Sequence, residues 1–190
     1  ELFPPAPVTD FGQATGNLAG YIARGDLARD IAAFFPGSKC PAIDDDAARA
    51  SEVFTRLPEA QRGAAKVLDE LVRGGKFPSL VTCNLSAYGF DCVKNELYNA
   101  AEDRYFGLAY DGSGNMQLLD LETGAVVGYE HEEGIFDPAR SFASLDEWAF
   151  AMLRVELALD KRVPPAELKA LFERLDLRGG LFEAGLLKAK

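Results

Sequence analysis

Histidine is almost missing from this sequence, and cysteine is scarce. His131 is the only histidine among 190 residues, and the three cysteines are Cys40, Cys83 and Cys92. A structural zinc site needs four such ligands, commonly as Cys-x-x-Cys pairs, and no such pair occurs. A cysteine nucleophile would have only His131 as its base. We therefore expect no catalytic residue, no metal and no cofactor.

Long apolar runs are missing too. No stretch approaches the roughly 20 consecutive apolar residues that span a bilayer, so we expect no membrane partner. The odd number and irregular spacing of the cysteines favour reduced thiols in a cytoplasmic protein. A periplasmic protein with a Cys83–Cys92 bridge stays open, because the sequence starts at Glu1 and a leader could have been removed.

Positive charge is scarce in one quarter of the chain. The whole sequence has a formal net charge of -10. Between Glu102 and Glu147, eleven acids stand against only Arg104 and Arg140, a net of -9. Such a surface repels nucleic-acid phosphates and attracts basic proteins, whose association it can speed by roughly 10–1,000-fold at low salt. The alternative is an acidic face that only aids solubility.

Two glycine turns enclose a short apolar run in YDGSGNMQLLDLETG. A phosphate loop would need a third glycine and a Lys-Ser or Lys-Thr pair, and both are absent. Asp111, Ser113, Asn115 and Glu122 match the ligand spacing of a twelve-residue calcium loop, but Met116 stands where that loop needs glycine. Asp-Gly and Ser-Gly supply the positive φ of tight turns, so the pattern predicts a β-hairpin.

Helical and strand patterns divide the chain. Apolar residues recur at helical spacing from Gly16 to Phe35, with a break predicted at Gly25, and a second helix starts at Pro58 and ends at Gly74. Strands are predicted at FPSLVTC, RYFGLAYDG, NMQLLDLETG and AVVGYEHEEG, the last three forming an antiparallel meander.

The best-defined helix is SFASLDEWAFAMLRVELALDK. Ser144 and Glu147 form a capping box at its start, and Trp148 and Phe142 are predicted to pack in the core. Shorter helices are predicted after Pro164-Pro165. The fold class is therefore α+β, a small antiparallel β-meander sheet packed against helices with a helical N-terminal region. Residues 1–75 form that region, 76–163 the core and 164–190 the C-terminal helices of one compact domain.

His131 lies between acids. With Glu130, Glu132 and Glu133 it could form a carboxylate–histidine metal cluster or act as a general base. Strand alternation points His131 and its immediate neighbours to opposite faces, which favours a surface histidine without either role.

The block from Tyr105 to about Leu153 resembles the SUKH superfamily. FGLAYDGSGNMQLLDLETGAVVGYEHEEG and then SFASLDEWAFAML present, in the order of that family, a glycine-rich hairpin, a Leu-Asp-Leu-x-Thr-Gly-x-Val strand pair and a Ser-Phe-x-x-Leu-x-x-Trp helix. The matching residues are Gly112, Asn115, Leu119, Asp120, Gly124, Val126, Ser141, Phe142, Leu145 and Trp148.

This resemblance implies a function. SUKH proteins commonly serve as bacterial immunity proteins, so it implies a domain without catalysis that binds and neutralises a cognate toxin or secretion-system effector. The acidic run suits a basic partner such as a nuclease toxin. The residues predicted to bind it are Asp111, Glu122, Glu130, Glu132, Glu133 and Asp137. The alternatives are a regulatory or scaffold module that binds an endogenous cytoplasmic protein, and an enzyme that uses the acids with a metal.

Overall fold

The computed structural model of the protein describes residues 11, 18–40, 43, 52–90 and 104–187. Among these residues, two α-helices with fully described bounds and a 3-10 helix (Leu85–Ala87) precede a four-stranded sheet, and three α-helices follow it. The elements are α1 (Asp26–Phe34), α2 (Glu59–Arg73), β1 (Tyr105–Tyr110), β2 (Met116–Asp120), β3 (Val126–Glu130), β4 (Ile135–Phe142), α3 (Leu145–Leu159), α4 (Pro165–Arg174) and α5 (Arg178–Leu186). The predicted α+β fold with a helical N-terminal region is confirmed.

The sheet is an antiparallel meander in the order β1-β2-β3-β4. Only its first three strands were predicted. In β4 the register shifts, so that Asp137 pairs with Gly128 but Phe142 pairs with Val126. This irregularity, together with Pro138, breaks the alternation of apolar and polar residues that marks a strand. Because Pro138 lies at this register shift, where no residue of β3 pairs with it, its missing N–H costs no ladder hydrogen bond.

The strand predicted at FPSLVTC is wrong. Residues 77–83 form no strand. Instead, the backbone amides of Val81 and Thr82 donate to the carboxylate of Glu156 on α3, so side-chain bonds replace a ladder. Just beyond this loop, single bridges join Asn84 to Tyr110 and Gly89 to Gly107, and they cover the free edge of β1.

Helix α3 is the centre of the fold. Thirteen of its fifteen residues are buried, as expected for a predominantly apolar helix that is packed on every side. Ser144 Oγ accepts from the amide of Glu147, which confirms the predicted cap. The Glu147 carboxylate, however, accepts from the amide of Ala143 rather than that of Ser144. Trp148 is fully buried, and its Nε1 donates to Gln117 Oε1 at 2.6 Å, so its predicted place in the core is confirmed.

Three buried charges on α3 hold the irregular segments around it. Near the start of the helix, the Asp146 carboxylate accepts from the amides of Gly20 and Ile22, both at 2.8 Å. Near its end, Glu156 accepts from the loop at 81–82. Arg154 lies between them and faces α1. Each charge satisfies backbone or side-chain groups that would otherwise be buried without a partner.

Arg154 is 1% exposed and has four kinds of partner. Its Nη2 donates to Asp30 Oδ2 at 2.8 Å, and its Nε donates to the carbonyl oxygen of Phe11 at 2.6 Å. Tyr21 donates its hydroxyl to the same Asp30 oxygen at 2.7 Å and accepts from Arg154 Nη1. The guanidinium carbon lies 3.5 Å from the centre of the Phe150 ring. This network joins the N-terminal region to the central helix.

The two faces of the sheet belong to different cores. Paired residues on neighbouring strands share a face. The inner face supplies Phe106, Leu119, Val126 and Phe142 to the main core, which extends from Phe11 to Ala184. Phe106 there meets the rings of Phe54, Tyr88 and Phe90 edge-on. The opposite, outer face has a smaller core of its own, formed by Met116, Leu118 and Tyr129.

Candidate protein-binding surface

The sheet topology separates the six acids predicted to bind a partner. In a meander, the first and third turns lie at one end of the sheet and the second turn at the other. Glu122 lies in the second turn, about 17 Å from the opposite end by the length of β2. The five at or near that opposite end are Asp111, Glu130, Glu132, Glu133 and Asp137.

Asp111 is engaged within the fold. One of its carboxylate oxygens accepts from the amides of Ser113 and Asn115, and the other accepts from Arg140 Nη2 at 2.6 Å. Burial raises its pKa, but the bond from Arg140 and the amide of Ser113 outweigh burial and leave the pKa below its usual value. These bonds close the turn between β1 and β2, so the predicted hairpin is confirmed and Asp111 has little of its charge left for a partner.

Glu122 is exposed and pairs with a positive neighbour. Arg104 binds Asp120 through two nitrogens, at 3.0 and 2.7 Å, and its Nη1 lies 2.9 Å from Glu122 Oε2. The hydrogen bond to Asp120 raises the pKa of Arg104. Arg104 and Arg140, the two arginines of the acidic run, are thus both committed to acids of their own chain.

Four acids are left without a positive neighbour, and we call them the free acids: Glu130, Glu132, Glu133 and Asp137. Within the described part of the chain none of them forms an ion pair. Glu132 and Glu133 are exposed in the turn between β3 and β4, and Glu130 and Asp137 flank them half-buried. Four acids without a positive neighbour therefore lie on one hairpin.

His131 is half-buried rather than fully on the surface. Its ring lies against Gly114, where an added Cβ would come within 3.4 Å of His131 Cε1. Its amide donates to Asn115 Oδ1 at 3.3 Å, and its Nδ1 is buried with no hydrogen-bond partner in the described structure. His131 thus packs the β3–β4 turn against the β1–β2 turn. Among the described residues, no group of three or more metal-ligating side chains occurs.

The outer face of the sheet carries an aromatic cluster, which the sequence did not predict. Its rings are those of Tyr105, Tyr129 and Phe136, packed around buried Met116 and Leu118. The ring centre of Phe136 lies 5.0 Å from that of Tyr105 and 5.5 Å from that of Tyr129. Phe136 is 42% exposed. The only signal for it was the dipeptide Ile-Phe after a glycine turn, which is too short to define a strand.

Charged groups lie near this aromatic cluster on two sides. On one side, the β3–β4 turn with exposed Glu132 and Glu133 leads directly into the strand that carries Phe136, whereas Glu130 and Asp137 point to the opposite face of the sheet. On the other side, the Arg104 guanidinium lies 5.4 Å from the centre of the Tyr105 ring and links it to Glu122. Burial raises the pKa of the Tyr105 hydroxyl, so this ring stays neutral. The arrangement of an apolar centre within a charged rim is typical of protein–protein interfaces.

The cysteines are poorly suited to chemistry. Cys40 and Cys83 are buried free thiols that line a cavity of about 400 Å³ beside the loop at 78–86, and Cys92 lies outside the described residues. Burial raises the pKa of both thiols, which opposes formation of the reactive thiolate. No helix in the described part of the chain is long and apolar enough to cross a bilayer.

Behind the hairpin, Arg140 is buried between two carboxylates. Its Nη2 lies 2.6 Å from Asp111 and 3.5 Å from Glu183 Oε1 on α5. Burial raises the pKa of Glu183, and the nearby negative charge of Asp111 raises it further, although the positive charge of Arg140 lowers it. Two acids thus share one arginine, and Glu183 is the less well compensated of them.

Replacing Glu183 with glutamine should therefore stabilise the protein at neutral pH. An acid whose pKa is higher in the folded state favours folding when protonated and opposes it once pH rises through that folded pKa. The gain for Glu183→Gln should vanish below about pH 4, where the wild-type carboxyl is protonated in both states. Urea unfolding of both proteins from pH 4 to 8 measures this. A gain that is equal at all pH values would contradict the assignment to Glu183 ionisation.

No family model, curated protein or solved structure matches the chain. The resemblance to the SUKH superfamily therefore stays a prediction that rests on the residues of the hairpin and of α3.

Proposed function

We propose that this protein is a non-catalytic inhibitor of the immunity type, which binds a basic toxin or secretion-system effector through the acidic end of its sheet. The observation that supports this most is the set of free acids on the β3–β4 hairpin, whose charge no arginine or lysine of the described chain neutralises. Such a field attracts a basic surface and accelerates its approach. The resemblance of the sequence to the SUKH superfamily independently leads us to expect a protein that binds a toxin or effector.

The free acids present a compact charged surface. The β3–β4 turn is joined to the β1–β2 turn through His131 and Asn115, so the hairpin has support on one side. The β1–β2 turn is itself held by Arg140, which contacts Asp111 in that turn and Glu183 on α5. A surface held in this way loses less conformational freedom on binding, and an interface of about 800 Å² on each partner suffices for stable association.

The partner can be retrieved by affinity purification. The tagged protein is incubated with lysate of the source organism and washed first at low and then at high salt, and the retained chains are identified by mass spectrometry. We expect one basic protein at near-equal stoichiometry, lost or weakened at high salt, that is toxic when produced alone in a laboratory bacterium and harmless with this protein. Retention of a metabolic or cell-wall complex, or altered growth on expression of this protein alone, would favour the regulatory or scaffold module instead.

Reversing the charge of Glu130, Glu132 and Glu133 to lysine should cut the association rate with that basic partner by about 10–100-fold at low salt, because it removes electrostatic steering. The dependence of the rate on salt should flatten at the same time. Stopped-flow or surface-plasmon kinetics at several ionic strengths measure both.

A matched control changes the net charge equally but elsewhere. Glu70, Asp160 and Glu167 are exposed acids on or beside helices α2, α3 and α4, and none has an ion-pair partner in the described structure. Their reversal to lysine should leave most of the association rate intact. Equal losses in the two triple variants would show that only overall charge matters and would remove the hairpin from the proposal.

A further inference from the structure

We infer that the aromatic cluster of the outer sheet face is the anchor of the interface, and that it takes an apolar side chain which the partner displays between lysines or arginines. This inference rests on the proposed function and specifies the chemistry of the partner. Its central observation is that exposed Phe136 packs among aromatic rings on the hairpin whose turn carries the exposed acids Glu132 and Glu133.

The register of the sheet defines which side chains share this surface. Tyr110 pairs with Met116, Met116 with Tyr129, and Tyr129 with Phe136, so all four lie on the outer face. Tyr105 joins them by ring contact with Phe136. Phe136 remains 42% exposed although an aromatic ring of this size is ordinarily well buried. Covering it would remove apolar area from water on both partners.

The charge around the rings determines what can cover them. Glu130 and Asp137 point to the opposite face of the sheet from Phe136, but exposed Glu132 and Glu133 lie in the turn that leads directly into β4 before Phe136. A purely apolar ligand would take these carboxylates out of water without compensation. A ligand with cations around its apolar residue would pair with them. Energetic centres of interfaces are commonly aromatic residues enclosed by a polar rim that excludes water, and this arrangement provides both.

Ile135 provides a matched control on the same hairpin. It is 47% exposed, similar to Phe136, and comes directly before it in β4. Because successive residues of a strand point to opposite faces, Ile135 lies on the other side of the sheet, paired with Glu130. Truncating either side chain removes a comparable amount of exposed apolar surface, but only Phe136 belongs to the aromatic cluster.

The test uses three peptides and nitrogen-15 NMR of the full chain. The probes are acetyl-Lys-Lys-Leu-Lys-Lys-amide, the same peptide with glycine in place of leucine, and acetyl-Gly-Gly-Leu-Gly-Gly-amide. We expect the basic leucine peptide to shift the amide signals of Tyr105, Tyr129 and Phe136 and to bind about 3–10-fold more tightly than the basic glycine peptide. Phe136→Ala should abolish this difference in affinity between the basic leucine and basic glycine peptides, and Ile135→Ala should preserve it.

The other outcomes overturn the inference. If the two basic peptides bind equally at the hairpin, the acidic surface of the proposed function stands and the aromatic anchor is wrong. If neither basic peptide shifts hairpin signals, both proposals are wrong. If Phe136→Ala and Ile135→Ala reduce the preference for the leucine peptide over the glycine peptide equally, the outer face is not the binding site for the leucine. The comparison of peptides on the unmodified protein needs no variant, so a Phe136→Ala chain that fails to fold does not weaken the test.

Discussion

Arg154→Met should lower the free energy of unfolding by about 3–5 kcal/mol, the cost of leaving a buried charge without its partner. Asp30 is 7% exposed and would lose the guanidinium that lies 2.8 Å from it, while the carbonyl oxygen of Phe11 would lose its donor. The methionine side chain can fill part of the space between the aromatic rings, so the loss reports mainly on the charge. Chemical denaturation followed by tryptophan fluorescence measures it, since Trp148 is the only tryptophan and lies on the same helix.

Two further variants check the cause. Arg29 forms its ion pairs with a side chain that is 65% exposed, so Arg29→Met should change stability by no more than about 0.5 kcal/mol. The double variant Arg154→Met and Asp30→Asn should recover part of the loss, because no unpaired charge remains buried. A loss below about 1 kcal/mol for Arg154→Met would mean that water enters and solvates Asp30.

Arg140→Met should cost a similar amount, about 3–5 kcal/mol at neutral pH, and the loss should depend on pH. Arg140 is 3% exposed and is the shared cation of Asp111 and Glu183. Without it, the buried carboxylate of Glu183 and the half-buried carboxylate of Asp111 have no positive neighbour, and their folded-state pKa values rise. Protonation then relieves the cost, so the difference from wild type should shrink as pH falls toward 4. Unfolding free energies at pH 7 and at about pH 4.5 measure this trend.

The control lies at the start of α5. Arg178 is exposed and near Phe182, whose ring Arg140 also approaches, at 5.3 Å. Arg178→Met should have almost no effect on stability, because an exposed cation at a helix N-terminus is unfavourable or neutral. In the Arg140→Met background, adding Glu183→Gln should recover stability at pH 7. A loss that is the same at both pH values would mean that Arg140 contributes by packing rather than by charge.

These two arginines join distant parts of the fold, and Arg140 links the candidate surface to the core. Arg140 joins the β1–β2 turn to α5. His131 of the β3–β4 turn in turn packs against the β1–β2 turn and bonds to Asn115 there. Arg154 joins α1 and the turn before it to the central helix. Both roles bury a charge, which costs solvation energy and is tolerated only because several partners converge on each guanidinium.

Local patterns predicted much of the fold. Glycine turns and alternating residues indicated β1, β2 and β3, and Ser144, Pro58 and Gly74 marked real helix ends. Residues 16–17 of the helix predicted from Gly16 to Phe35 lie outside the described residues. Its second half is confirmed, since α1 begins at Asp26, whereas residues 19–25 form turns. Gly25 has a φ of 85°, which explains the predicted break. These features are local, so the residues that encode them are neighbours in the chain.

The candidate site was less predictable. Six acids were selected by their density in the sequence, but hydrogen bonds from Ser113 and Arg140 take up Asp111, and the meander puts Glu122 at the far end of the sheet. Phe136 was missed because β4 was not recognised. The SUKH resemblance and the function that it implies are still predictions, and the peptide and kinetic experiments above address the surface directly.

The sequence by itself determined the acidic charge of the meander, its hairpins, the main helices and the scarcity of residues for metal or nucleophilic chemistry, because these follow from composition and from short-range periodicity. Only the tertiary structure decided which acids remain without a positive neighbour, which acids are neutralised by arginines, and which aromatic rings meet on the outer face. Those outcomes depend on contacts such as Arg140 to Glu183 and Tyr105 to Phe136, between residues 31 or more positions apart. Such contacts cannot be predicted from patterns of neighbouring residues, because strand register and helix packing bring these distant residues together.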